Sequence, residues 1–274
     1  MTAANLYALG AIALWATLAS LGVALAHLPP FLLTGTALLV GSVASWPWYR
    51  RWRIPLSTIA LGVYGLFGFH FLLFIALRHA PAVEANLVNY LWPLFIVVLA
   101  PLILPGARWR PLHIAAAAIG FAGATLAIVG GRELSGGFSW GYVAALASAL
   151  IWASYSLLTK RVAHFPTAAI GLFGLVSGLL ALACHAALEP SVEISLRDAL
   201  LIALTGFGPL GAAFFLWDAA LKRGDPSTIG ILSYLTPLAS TLLLIVTSDR
   251  QPTGWIAAAA ALIVGAAVLG TRAR

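Results

Sequence analysis

Ten apolar runs, each about as long as a bilayer is thick, decide what this chain can become. They lie at roughly 6–26, 31–49, 58–78, 82–104, 112–130, 139–159, 167–187, 198–221, 227–248 and 254–271. A spanning helix needs about 20 apolar residues, and in lipid a helix satisfies its own backbone polar groups. The breaks carry Pro29-Pro30, Arg50-Arg51-Trp52-Arg53, Pro81, Pro105-Gly106, Gly130-Gly131, Pro166, Pro190, Asp225-Pro226 and Pro252, all turn or helix-stop chemistry. Only 8% of the 274 residues are charged, against about 25% in soluble domains. The expectation is an all-α membrane protein of ten transmembrane helices with no room for a soluble domain. Ala24-Leu25-Ala26 has the form of a signal-peptidase site. No Lys or Arg precedes it and another apolar run follows at once, so it is read as part of a retained first helix.

The net charge of +7 would fit a nucleic-acid binder if the basic residues clustered on a soluble face. They follow the loops instead. Arg50, Arg51, Arg53, Arg108, Arg110, Lys160, Arg161, Lys222, Arg223, Arg272 and Arg274 fall on one side, and Arg78, Arg132, Arg197 and Arg250 on the other. The positive-inside rule places both termini in the cytoplasm. Nucleic acid is therefore not an expected partner; the lipid bilayer is. The single cysteine, Cys184, excludes an intramolecular disulfide.

The chain repeats itself at an offset of 144. Residues 61–94 align with 205–238 without a gap, and ten of the 34 positions are identical, among them Tyr90/Tyr234, Leu91/Leu235, Pro93/Pro237 and Leu94/Leu238. Trp15-Ala16 and Trp152-Ala153 open the two halves similarly. Ala115–Ala118 with Gly120 and Gly123, and Ala257–Ala261 with Gly265, close them; these small residues read as close helix packing. The expected units are 1–137 and 138–274. Five helices per unit is an odd number, so the second would sit upside down relative to the first. That is the inverted repeat of carriers that alternate access.

Matched prolines inside apolar runs point to a transport site. Each removes a helix hydrogen bond and frees a carbonyl four residues upstream, on Asn89 and Ser233. Asn86, Asn89, Tyr90 and Pro93 share one helical face, and Gly230, Ser233, Tyr234 and Pro237 its counterpart. A polar face at mid-membrane looks inward, so Tyr90 and Tyr234 are expected to face each other across a cavity. The interior aromatics Trp15, Phe69, Phe71, Phe74, Tyr90, Trp92, Trp152, Tyr155, Phe214, Phe215 and Trp217 would suit a small amphipathic solute. Trp46, Trp48, Tyr49, Trp52, Trp109, Trp140 and Trp255 lie at run ends and read as the interfacial belt. His70 is the one ionisable side chain near a run's centre. It is either a buried histidine satisfied by a hydrogen bond or a proton-coupling or substrate contact. Glu84 sits in the first turn after Pro81, where a helix N-terminus favours an acid. Asp218 can pair with Lys222 at i, i+4. Metal-ligand spacing, HExxH, GxSxG and Walker-type loops are all missing, so neither an enzyme nor a metal or other cofactor is expected.

With these runs and the stretch Asn89-Tyr90-Leu91-Trp92-Pro93, the chain resembles the drug/metabolite transporter superfamily, in its EamA-type branch, over its whole length. The resemblance implies a central cavity between the halves, lined by helices 1, 3, 4, 6, 8 and 9, that exports amino acids; the expected setting is the bacterial inner membrane and the expected state a monomer. It assigns Tyr90, Trp92 and Trp152 to the family's cavity aromatics. Phe69 and Leu73 occupy positions where the family's aromatic amino acid exporter carries tyrosines, which implies a substrate range broader than aromatic amino acids. Asn89, Tyr234, Ser233, His70, Trp15 and Tyr155 complete the expected substrate-binding set. An efflux carrier for hydrophobic or quaternary cations is the alternative; it would need an acidic or aromatic-caged cavity. A membrane-embedded enzyme is the third reading.

Overall fold

The computed structural model describes residues 2–130, 133–134, 137–247 and 254–272. Gly131, Arg132, Arg250, Pro252 and Arg274 lie outside them. All regular structure among the described residues is helical. Among the described residues, nine helices are long and apolar enough to cross a membrane: α1 (Ala3–Ala24), α3 (Leu56–His79), α4 (Ala82–Ile103), α5 (Pro111–Val129), α6 (Trp140–Leu158), α7 (Ala169–Leu188), α8 (Leu196–Arg223), α9 (Pro226–Val246) and α10 (Gly254–Arg272). The run at 31–49 differs from its expectation. Helix α2 (Pro30–Val43) stops early, and a 3-10 segment, Trp46–Trp52, turns away from it by 88°. Pro47 fits this break, because it lacks the N–H that would continue α2 by bonding the Val43 carbonyl and stands instead in the first turn of the 3-10 segment.

The long helices are broken at matching places. A π turn interrupts α3 at Tyr64–Gly68 and α8 at Gly208–Ala212, again 144 residues apart. In α4 the helix stops at Asn89 and restarts at Trp92; in α9 it stops at Leu232 and restarts at Leu235. Pro93 thus stands in the first turn of a new helical piece, where its missing N–H costs nothing. The carbonyl of Ser233 accepts from the N–H of Thr236, so it is not left open as the proline rule alone predicts.

The most extensive helix contacts are α5 with α10, α2 with α7, α3 with α6, α1 with α8, and α4 with α6. Exchanging the first five helices for the last five maps the first two pairs onto themselves. It maps α3–α6 onto α8–α1, and α4–α6 onto α9–α1, which is also in contact. Small residues permit the closest approaches, as expected where lipid supplies no hydrophobic drive between helices. A Cβ on Gly178 would meet the carbonyl of Gly35 at 2.9 Å, and one on Gly41 the carbonyl of Gly206 at 2.7 Å. Three more glycines make room for rings: Gly62 for Phe173, Gly65 for Tyr155 and Gly120 for Tyr234. Of the residues read as packing points, Gly123 meets Ile263, whereas Gly265 faces open space.

Polar contacts sort the loops into two ends. At the basic end, Lys160 donates to the carbonyls of Leu221 and Gly224 at 2.7 and 2.8 Å, Arg161 to Ile103 at 3.2 Å, and the Trp52 indole to Ala168 at 2.9 Å. Burial draws the Lys160 ammonium below the usual lysine range, opposed by Asp225. Lys222 pairs with Asp218 at 2.6 Å, as the i, i+4 spacing anticipates, and also donates to the Phe165 carbonyl. At the other end, the Glu189 carboxylate accepts from the first N–H groups of α2 on Phe31 and Leu32, from Arg78 and from His185, at 2.9–3.2 Å. Tyr142 donates to Glu84, which therefore has a partner besides its helix terminus.

Gly120→Ala places a methyl 2.4 Å from the Tyr234 ring, and overpacking of this kind costs about 1–3 kcal/mol. The thermal unfolding midpoint in detergent should fall. Pairing it with Tyr234→Leu should recover part of the loss.

Candidate functional site

Among the described residues lies a cavity of about 430 Å³, inside the ~300–1,000 Å³ range of small-molecule sites. Each wall uses the part of its helix directed away from the basic end: Trp15 to Leu25 on α1, Phe69 to Leu77 on α3, Asn86 to Trp92 on α4, Thr205 to Phe214 on α8, and Thr236 and Ser240 on α9. Leu33 and Thr34 show that α2 also contributes, beyond the six helices expected.

The floor is formed by the indoles of Trp15, Trp92 and Trp152, from α1, α4 and α6, with the fully buried Trp217 of α8 packed against them in one cage. Trp15, Trp92, Trp152 and Trp217 are all mutual neighbours, with ring centroids 5.2–6.4 Å apart. Most pairs meet edge-to-face or tilted, so the positive edge of one ring meets the negative face of the next. Phe69 and Phe214 pack on Trp152 at 5.3 and 5.6 Å. Beneath the cage, the Trp217 N–H donates to Ser156 at 3.1 Å, and the Asp218–Lys222 pair follows. Asp218 is buried, with Thr167 donating to the same carboxylate oxygen at 2.6 Å.

Two cavity residues are fixed by the π turns. The His70 ring bonds the Leu66 carbonyl at 2.6 Å through Nδ1, and the Trp15 indole donates to the Pro209 carbonyl at 3.1 Å. A carbonyl only accepts, so Nδ1 of His70 carries the hydrogen. Each π turn thereby has a carbonyl taken by a ring N–H. The reading of His70 as a buried histidine satisfied by a hydrogen bond accounts for Nδ1. Its Nε2 has no protein partner among the described residues, and the ring lines the cavity. On α4, Ser148 donates to the Asn89 amide oxygen at 3.1 Å, leaving the amide NH₂ unused. The Asn86 amide, the Tyr90 hydroxyl and the indole N–H groups of Trp92 and Trp152 make no protein hydrogen bond among the described residues, although all four residues line the cavity. No lining residue carries a fixed charge.

Trp15, Phe69, His70, Leu73, Asn89, Tyr90, Trp92 and Trp152 are thus brought together on one cavity. Tyr155, Ser233 and Tyr234 are not. Tyr155 fills the space left by Gly65, and the Ser233 hydroxyl turns back onto the Gly230 carbonyl at 2.5 Å. Tyr234 is fully buried in a separate cluster with Ala116, Ile231, Leu238 and Ile263, so it does not face Tyr90 across a cavity. Thr236, which stands 144 residues after the cavity-lining Trp92, and Ser240 form the α9 wall instead. Their i, i+4 spacing on one helical face was the available signal. His70→Phe removes the partner of the Leu66 carbonyl. It should cost about 1–3 kcal/mol, measured as a lower unfolding midpoint of the substrate-free protein.

Comparison with known proteins adds the following. The model of the EamA-like transporter family matches residues 2–129 and again 139–272. The chain is 42% identical to the aromatic amino acid exporter YddG of Ancylobacter novellus over 98% of this chain and 97% of that protein. It is 26% identical to a probable amino-acid metabolite efflux pump of Salmonella typhimurium, covering 88% and 85% of the two chains. The YddG of Escherichia coli is 27% identical over 61% of this chain and 59% of its own. A solved crystal structure 40% identical in sequence superposes with a TM-score of 0.92, over 99% of this chain and 98% of that one.

Proposed function

The chain belongs to the EamA-like transporter family, within the drug/metabolite transporter superfamily, and from that premise we propose that it exports amino acids, aromatic and other neutral ones, from the bacterial cytoplasm by alternating access. The observation that carries this reading is the cavity itself, which has an aromatic floor, unbonded neutral donors and acceptors on its walls, and no fixed charge. An aromatic side chain would stack on the cage. The zwitterion would meet the break in α4, where the carbonyl end of one helical piece and the N–H end of the next lie one turn apart. Those opposite dipole ends suit an ammonium and a carboxylate respectively. Phe69 and Leu73 present no hydroxyl, which favours a range broader than aromatic amino acids.

In this reading the units 1–137 and 138–274 form an inverted repeat of ten spanning helices, with both termini in the cytoplasm. The recurring π turns and helix breaks, and contacts unchanged by exchange of the halves, support it. The cavity then opens to the outside, while the indole cage and the clasps of Lys160, Arg161 and Lys222 close the cytoplasmic side. The inward-open state would require the cage to part and those clasps to release. The substrate class has one competitor with support of its own: the three indoles of the floor could also hold a quaternary ammonium ion by cation–π contact, although no acidic side chain lines the cavity.

Reconstituted in liposomes, the protein should move labelled tryptophan, phenylalanine and smaller neutral amino acids in preference to tetraalkylammonium ions. The reverse preference would establish the cation carrier. Tyr90→Ala and Trp92→Ala should each abolish transport while the protein stays monodisperse, and Tyr234→Phe should leave it near wild type. Full transport by both alanine variants would remove the cavity from the pathway.

A further inference from the structure

The 3-10 segment Trp46–Trp52 has no part in the cavity, and its position needs a different explanation. Helix α2 holds 14 residues before it, about 21 Å of helix against a hydrocarbon thickness near 30 Å. The chain then turns by 88°, so the segment leaves the line of α2 and runs across the bundle at the basic end. Two indoles pin it to the protein: Trp46 donates to Ser42 at 3.2 Å and Trp52 to the Ala168 carbonyl at 2.9 Å. Trp48 and Tyr49 are left 50% and 59% exposed, with the amphipathic character that favours headgroup depth. Arg50, Arg51 and Arg53 are exposed and make no ion pair or hydrogen bond among the described residues. The acids at this end are already engaged, Asp218 by Lys222 and Thr167, and Asp225 by the N–H and hydroxyl of Thr228. Three guanidinium groups beside two exposed aromatic rings therefore lack a protein counter-charge.

We propose that Trp46–Arg53 is a binding site for the headgroup of an anionic phospholipid in the leaflet at the basic end. The three guanidinium charges would attract the phosphodiester, and Trp48 and Tyr49 would pack on the glycerol and upper acyl region. The inference depends on the chain spanning a membrane and is independent of what the cavity carries.

Native mass spectrometry of the full-length protein in detergent tests it, with phosphatidylglycerol and phosphatidylcholine supplied in equal amounts. The wild-type protein should retain phosphatidylglycerol preferentially, and R50Q/R51Q/R53Q should lower its apparent affinity at least about tenfold with phosphatidylcholine unaffected. The charge-keeping R50K/R51K/R53K should hold most of the binding, and R108Q/R272Q, which removes charge elsewhere at the same end, should bind as wild type. Glycerol 3-phosphate should not displace the lipid. Unchanged preference in the glutamine variant, equal loss in R108Q/R272Q, or loss in the lysine variant would each overturn the site. Full displacement by glycerol 3-phosphate would assign it to a soluble phosphate ester instead.

Discussion

A backbone amide in lipid must find its partner within the protein, and this chain's architecture follows from that constraint. Unbroken helices meet it within themselves. Every interruption has to be satisfied from elsewhere, so interruptions are tolerable only where side chains or a polar cavity can reach them. Those of α3, α4, α8 and α9 all border the central cavity or its floor. The π turns are the clearest case, since the carbonyls of Leu66 and Pro209 take ring N–H groups from His70 and Trp15. The same bonds that repair the helices fix two rings of the cavity wall.

This arrangement separates two kinds of polar group. Some are consumed by the fold: Nδ1 of His70, the Trp15 indole, the Ser233 hydroxyl and the Asn89 amide oxygen. Others remain free on the cavity surface, namely the Asn86 amide, the Tyr90 hydroxyl, Nε2 of His70 and the indoles of Trp92 and Trp152. A buried polar group without a partner is costly unless water or a ligand supplies one. The free set therefore marks the surface at which a polar solute can replace water without loss.

The two ends of the bundle are held by different chemistry. At the basic end, Lys160, Arg161 and Lys222 mostly clasp backbone carbonyls at helix ends, favoured sites for cations. At the opposite end Glu189 does the converse, capping the N–H groups of α2 while pairing with Arg78 and His185. Clasps that join separate helices through a few charge-assisted bonds can be released together, as the alternating access proposed above would require.

The all-helical membrane character, nine of the ten expected long helices and the Asp218–Lys222 pair were legible in the chain, as was the recurrence at 144 residues, because each depends on local length, spacing or composition. The bend after Val43 was locally encoded by Pro47 yet hidden within an apolar run. What the sequence could not decide is which way a broken helix faces after its break. The polar stripe of α9 looks equivalent to that of α4, but the neighbours packed against the two helices differ. Tyr234 then falls into the space above Gly120, and Thr236 and Ser240 reach the cavity. Nor does the order of residues reveal that Trp15, Trp92, Trp152 and Trp217 converge. By itself the sequence determined a membrane-spanning helical protein with a duplicated, proline-marked core. Only the tertiary structure decided which polar groups the breaks use up and which are left for a ligand, because that depends on packing between helices far apart in the chain.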